Sequence, residues 1–224
     1  MHGQSTIINK KSVNELKELY VPIQKEIKVR LNEFKDIWSR GSEEDIFTEL
    51  VFCILTPQSK AKSCNEAVGC LLGKDILIGG NEKQIGRELR SKVRFHNTKA
   101  KNIVEARKLF TNEGKISIKS VIARFKDPWE IRKWLVTNVR GLGYKEASHF
   151  LRNIGKGEEL AILDRHILKN LVILGVIKDF PDSLSKKKYL VIEKKMMEFS
   201  RKINLPMAHL DLLLWYKETG EVFK

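Results

Sequence analysis

Two residues able to do covalent chemistry stand nineteen positions apart in this chain, Lys145 and Asp164. Lys145 follows the run Val139-Arg-Gly-Leu-Gly-Tyr. An amine in that place has two uses. It can meet a phosphate, or in its neutral form it can attack an electrophilic carbon. Gly141 and Gly143 favour a tight hairpin with positive φ and leave the backbone bare. The first N–H groups of a helix that starts there suit an anion such as phosphate. Asp164 also has two readings. A carboxylate can stabilise a growing positive charge and orient or deprotonate a nucleophile. It is equally a good helix cap. Spacing alone does not bring the two residues together.

The elements that must position them are helical. Asp127-Pro128 is a helix start, with Asp as N-cap and Pro at the first helical position. A helix over 129–138 should form the first arm of the hairpin, and one beginning at Tyr144 the second. Gly155-Lys156-Gly157 reads as a linker, and Leu160 to Leu163 leads to Asp164, which would cap a helix over 165–174. Upstream, a helix over 12–20 is expected, with Pro22 allowing a second to run through Trp38. Leu16, Leu19, Ile23, Ile27, Leu31, Phe34 and Trp38 step by three or four along one apolar face. Ser42-Glu-Glu-Asp45 resembles a capping start for an almost wholly apolar helix over 46–56, the expected central core. Pro57 stops it. The turn 55–59 then leads into a helix over 59–72 with Ser59 as cap.

Further helices are expected over 81–91, over 98–110 with Asn97 as cap, as an amphipathic segment over 116–125, and over 185–203, which is basic. Pro206 opens the last, through about Lys217. Valine and isoleucine fall at helical spacing and not in alternation, so the fold class is all-α.

The formal charge is +14, from 42 Lys and Arg against 28 Asp and Glu, which points to a phosphate-rich partner. Hydrophobic content of 42% supports a real core. Three cysteines, Cys53, Cys64 and Cys70, offer neither a disulfide framework nor a C-x-x-C site. His149, His166 and His209 form no zinc pattern, and no metal ligand is assigned. No carboxylate cluster suits a metal-dependent nuclease. The first eleven residues are polar apart from Ile7-Ile8, and no membrane span is visible. A cytoplasmic monomer is the default expectation.

Lys145 behind its glycine hairpin, with Asp164 downstream, resembles the helix-hairpin-helix DNA glycosylase superfamily. The likeness is to its prokaryotic type-2 8-oxoguanine DNA glycosylase/AP lyase family and covers most of the chain. It implies two helical domains with the active site in the cleft between them. Residues 41–155 would form a helical barrel domain including the hairpin, and 1–40 with 156–224 the second. It implies Lys145 as Schiff-base nucleophile and Asp164 as its carboxylate. The partner would be double-stranded DNA containing 8-oxoguanine. Gln58, in the turn after Pro57, would enter the DNA stack, and Gly141 and Gly143 would hold its backbone. Arg94-Phe95-His-Asn-Thr-Lys-Ala matches a family segment, and Phe95 or Trp215 would stack on the base. The family ends on a lysine, as here, so Lys224 is implied in base recognition, with Asp211 beside it. No cofactor is required. A monovalent or divalent cation at the hairpin is implied at the carbonyls of Thr137, Val139 and Leu142. Related enzymes hold an iron–sulfur cluster on four C-terminal cysteines, and no cysteine follows Cys70. Two other readings stay open: removal of oxidised pyrimidines on the same fold, and a non-catalytic module that only binds DNA.

Overall fold

Helical spacing of apolar residues dictates the architecture of this computed structural model, which describes residues 8–224. The described chain forms twelve helices and one pair of two-residue strands. The all-α expectation therefore holds, with a short hairpin at Thr111–Asn112 (β1) and Lys115–Ile116 (β2) as its exception. The reading of the polar start falls mostly on residues 1–7, outside the described residues. Among the described residues, no helix is long and apolar enough to cross a membrane.

The chain divides into two compact units, one comprising Lys35–Gly157 and the other the chain up to Phe34 with Glu158–Lys224. The 35–157 unit is built around α2 (Glu43–Leu55). Ser42 and Asp45 cap its start reciprocally, Asp45 N–H to Ser42 Oγ at 3.1 Å and Ser42 N–H to Asp45 Oδ2 at 2.7 Å. Its apolar residues Ile46 to Leu55 are at most 1% exposed, as expected of a helix apolar on every side. Around it pack α3 (Ala61–Gly73), α6 (His96–Phe110), α7 (Ile118–Ile122) and α9 (Tyr144–Asn153). The short α4 (Ile76–Gly79) and α5 (Glu82–Leu89) join α3 and α6. The arm α8 (Pro128–Asn138) lies against α9, and Asp127 caps it by accepting from Trp129 N–H at 2.9 Å.

In the other unit, α10 (Arg165–Ile173) and α11 (Lys186–Lys202) both pack on α12 (Met207–Thr219). The long α1 (Lys10–Arg40) buries Val13, Leu16, Ile23, Ile27, Leu31 and Phe34 on one face. Tyr20 on α1 hydrogen-bonds His209 Nδ1 at 2.7 Å.

Three local expectations are corrected. Pro22 does not divide α1, which runs unbroken through it. The proline is on the exposed face, where solvent can serve the carbonyl that loses its N–H donor. Ser59 does not cap α3. The helix starts two residues later, and the Ser59 hydroxyl faces Arg94 and Lys99 instead. Asn97 does not cap α6. Phe95 takes the N-cap place with φ of 55°, so Asn97 lies inside the first turn, close to Gly86.

Candidate active site

The hairpin is built from the end of α8, Gly141-Leu142-Gly143 and the start of α9. Gly141 adopts φ of 89°, and a Cβ there would overlap the side-chain amide of Asn102 on α6. Both facts demand glycine. Gly143 differs from expectation, because its φ of −92° is open to any residue. Its N–H is already taken, donating to Glu146 Oε2 at 3.2 Å. Gly141→Ala should therefore cost about 1–3 kcal/mol of stability, from strain and crowding together. It should also weaken binding of duplex DNA. Urea unfolding and fluorescence anisotropy would measure the two effects, and unchanged values would contradict this account of the hairpin.

Lys145 stands on the first turn of α9, its side chain 24% exposed. Its Nζ lies 3.0 Å from Glu146 Oε1 and donates to Thr56 Oγ1 at 3.4 Å. Glu146 thus holds the hairpin N–H with one oxygen and the amine with the other. Thr56 caps the end of α2 and opens the turn that carries Gln58. So the structure brings Lys145 to the start of the Gln58 turn, within one unit.

That turn is unusual for its backbone. Gln58 has φ of 54°, is exposed, and is not glycine. Phe95, 55% exposed, has φ of 55°. Ser59 joins the two places, since its hydroxyl accepts Arg94 N–H at 3.1 Å. The Arg94 guanidinium sits 5.6 Å from the centre of the Phe95 ring. Segment 90–96 lines an open depression of about 460 Å³.

In the other unit, Asp164 ends a buried strap, Leu160 to Leu163. Tyr189 on α11 donates its hydroxyl proton to the Ala161 carbonyl at 2.6 Å and accepts Leu163 N–H at 3.4 Å. Glu193 accepts Ala161 N–H at 2.9 Å. Asp164 Oδ1 caps α10 by accepting Ile167 N–H at 2.8 Å. Among the described residues no hydrogen bond reaches Oδ2. A carboxylate held by one oxygen keeps the other for a second task.

Trp215 is placed against the same helix. Its ring meets His166, two residues after Asp164, edge to face at 5.3 Å. Glu218 fixes that edge of α12. It accepts from Lys169 at 2.8 Å and from Asn170 at 3.0 Å, and lies 3.7 Å from His166 Nδ1. The Lys169 hydrogen bond, with help from Asn170, holds the Glu218 carboxyl below its ordinary range despite partial burial. A value depressed by folding contributes stability that is complete at neutral pH and fades as pH falls through the folded-state value. Unfolding followed from about pH 7 to about pH 3 should show this acid loss. Glu218→Gln should reduce it by up to about 0.5 kcal/mol. An identical pH dependence in the variant would contradict the assignment. Asp211 is 4% exposed, and Lys224 is half-buried.

Among the cysteines, Cys53 and Cys64 are core thiols whose ionisation burial pushes up, Cys64 to about 11. His149 is also internal, its ring edge to face with Phe52 at 5.5 Å. Among the described residues no three His, Cys, Asp or Glu could share a metal ion. Sequence reasoning missed Thr56 and Glu146, and it placed Lys99 only within the segment that matches the family. Glu146 carried a signal, three residues after Gly143, in the N3 place that reaches back to a helix start.

Comparison with known proteins gives a consistent result. A family profile described as 8-oxoguanine DNA glycosylase matches residues 27–205. A Fusobacterium nucleatum protein named 8-oxoguanine DNA glycosylase/AP lyase is 46% identical over 211 residues, 94% of this chain and 97% of that one. The crystal structure of a Methanocaldococcus jannaschii 8-oxoguanine glycosylase/lyase, in complex with a 15mer DNA containing 8-oxoguanine, matches with TM-score 0.85 at 35% identity. It covers 95% of this chain and 99% of that one. The 8-oxoguanine DNA glycosylase of Thermotoga maritima matches with TM-score 0.84 at 34% identity, over 96% and 99% of the two chains.

Proposed function

This chain belongs to the 8-oxoguanine DNA glycosylase family, and from that membership we propose that it excises 8-oxoguanine from duplex DNA and then cuts the abasic strand. The observation that carries the reading is the place of Lys145. It stands one turn behind a hairpin that Gly141 alone permits, with its amine held by Glu146 and Thr56.

The neutral Lys145 amine attacks C1′ of the damaged nucleotide. The bond to the base breaks, and the electron pair leaves with the base, which takes up a proton. The lysine nitrogen loses a proton as the ring opens to a Schiff base. Loss of a proton from C2′ then expels the 3′ phosphate by β-elimination. The sugar carries positive charge as the base departs, and a carboxylate lowers that barrier. Asp164 is assigned this role through Oδ2, with Oδ1 kept for its helix.

A base inside a duplex must leave the stack to react. Gln58 is assigned to the gap, and the hairpin backbone at Gly141 to the phosphates, joined by Gly143 where phosphate displaces Glu146 from its N–H, which fixes register without reading sequence. Base discrimination follows from one atom. N7 of guanine accepts a hydrogen bond, whereas N7 of 8-oxoguanine donates one, so an acceptor favours the damaged base. A main-chain oxygen of Lys224 is assigned that contact, because its ammonium can only donate, with Trp215 for the stacking and Asp211 near them. A cation fits the hairpin in one respect. The Val139 carbonyl accepts only Leu142 N–H at 3.3 Å, and among the described residues no backbone N–H serves Thr137 or Leu142. A hard cation there would lend the phosphate grip its charge. The chain is taken to act as a monomer.

The reading is tested with duplexes carrying one 8-oxoguanine, one oxidised pyrimidine or no lesion. Strand cleavage of the first, leaving a β-elimination end, is expected. Cleavage confined to the pyrimidine lesion, or tight binding of all three without cleavage, would overturn it.

A further inference from the structure

Lys99 is 4% exposed within the 35–157 unit, where a charge must be matched to persist. Its three ammonium hydrogens meet three acceptors. They are the Leu55 carbonyl at 2.7 Å, the Pro57 carbonyl at 2.9 Å and Ser59 Oγ at 2.9 Å. These partners lie more than forty residues upstream or, for Ser59, forty. Two of the three are backbone atoms flanking Thr56, and the third is the residue after Gln58. The ammonium therefore spans the whole turn. It also stands at the end of α2, where unpaired carbonyls favour a cation.

The turn needs such a tie. A glutamine at φ of 54° is held in a conformation that side chains rarely adopt, and exposed residues relax unless their surroundings fix them. Ser59 N–H donates to the Thr56 carbonyl at 3.0 Å, which closes the turn but does not anchor it. Lys99 anchors it to α6. Through Ser59 Oγ the same anchor reaches Arg94 N–H, and so fixes the second left-handed residue, Phe95. Burial also lowers the Lys99 ionisation, with Lys145 and Arg94 adding to the effect.

We propose that Lys99, acting through Ser59, is the positioning residue that locks Gln58 and Phe95 as two fixed prongs for opening the DNA stack. This rests on the proposed function, and it adds a division of labour. Lys145 and Asp164 break bonds, whereas Lys99 serves the earlier step of extruding the base. Its loss should matter most where extrusion is costly and least where no base has to move.

Lys99→Met is the test, with Ser59→Ala beside it as a milder change that keeps the buried ammonium. Single-turnover cleavage is measured on three duplexes: paired 8-oxoguanine, unpaired 8-oxoguanine in a bulge, and a preformed abasic site. On the paired lesion Lys99→Met is expected to slow cleavage about tenfold or more, the scale of a displaced positioning group. On the abasic duplex it should stay within about twofold, and the bulge should restore most of the loss, because an unpaired base is cheaper to extrude. Ser59→Ala should show the same order with a smaller effect. Equal loss on all three duplexes, or none on any, would overturn the proposal. If Lys99→Met does not fold, the order of the three rates in Ser59→Ala decides. Wild-type protein that fails to cleave paired 8-oxoguanine would instead refute the underlying function.

Discussion

Lys145→Gln is expected to lower single-turnover excision of 8-oxoguanine by about 10³-fold or more, the scale seen when a covalent nucleophile is removed. Glutamine keeps a similar length and can still donate to Thr56 and Glu146, so the start of α9 should survive. It carries no lone pair able to attack carbon. Strand cleavage at a preformed abasic site should fall as well, because the Schiff base is common to both steps. Binding of lesion DNA should change by less than about tenfold, since one cation among many at the interface is lost. A variant that kept excision but lost strand cleavage would assign Lys145 to the lyase step alone, with water as the nucleophile for the base.

Asp164 requires a pair of variants, because it does two things. Asparagine caps a helix about as well as aspartate does. Asp164→Asn should therefore leave the melting temperature nearly unchanged while excision drops about 10²-fold or more, the scale of lost charge stabilisation at a reacting centre. Asp164→Ala loses the Ile167 N–H bond as well. It should show the same kinetic loss with an added stability loss of about 1 kcal/mol. Equal activity of wild type and Asp164→Asn would show that the residue is only a cap.

The parts of this molecule that were legible in the sequence are those that depend on near neighbours. Ser42 with Asp45, Asp127 with Pro128, and Asp164 before Arg165 each announced a helix start within four residues, and each forms it. Where a local rule failed, a distant contact had overruled it. Ser59 and Asn97 are good capping residues by type, but Ser59 is claimed by Lys99 and Arg94, forty and thirty-five positions away. Pro22 would end a helix on propensity, yet the apolar face of α1 continues past it and burial outweighs one missing hydrogen bond.

Within the candidate site, the glycines and Lys145 stood out because their types are rare in combination. Lys99 entered only as part of the segment around Phe95, although a sharper signal existed. It falls in step with Ile103, Ala106 and Phe110 on the buried side of α6. A charge in register with an apolar stripe must find buried partners, but the spacing does not say which. Only the fold supplies the carbonyls of Leu55 and Pro57.

The proposed reaction requires a covalent bond between this chain and DNA at one lysine. Borohydride reduction during reaction with a duplex carrying one 8-oxoguanine would fix that bond, and mass spectrometry of the digested complex would locate it. One adduct is expected, on the peptide containing Lys145, and none with unmodified duplex or with Lys145→Gln. An adduct on another amine, such as Lys99, or turnover of 8-oxoguanine with no trapped complex, would contradict the proposed reaction.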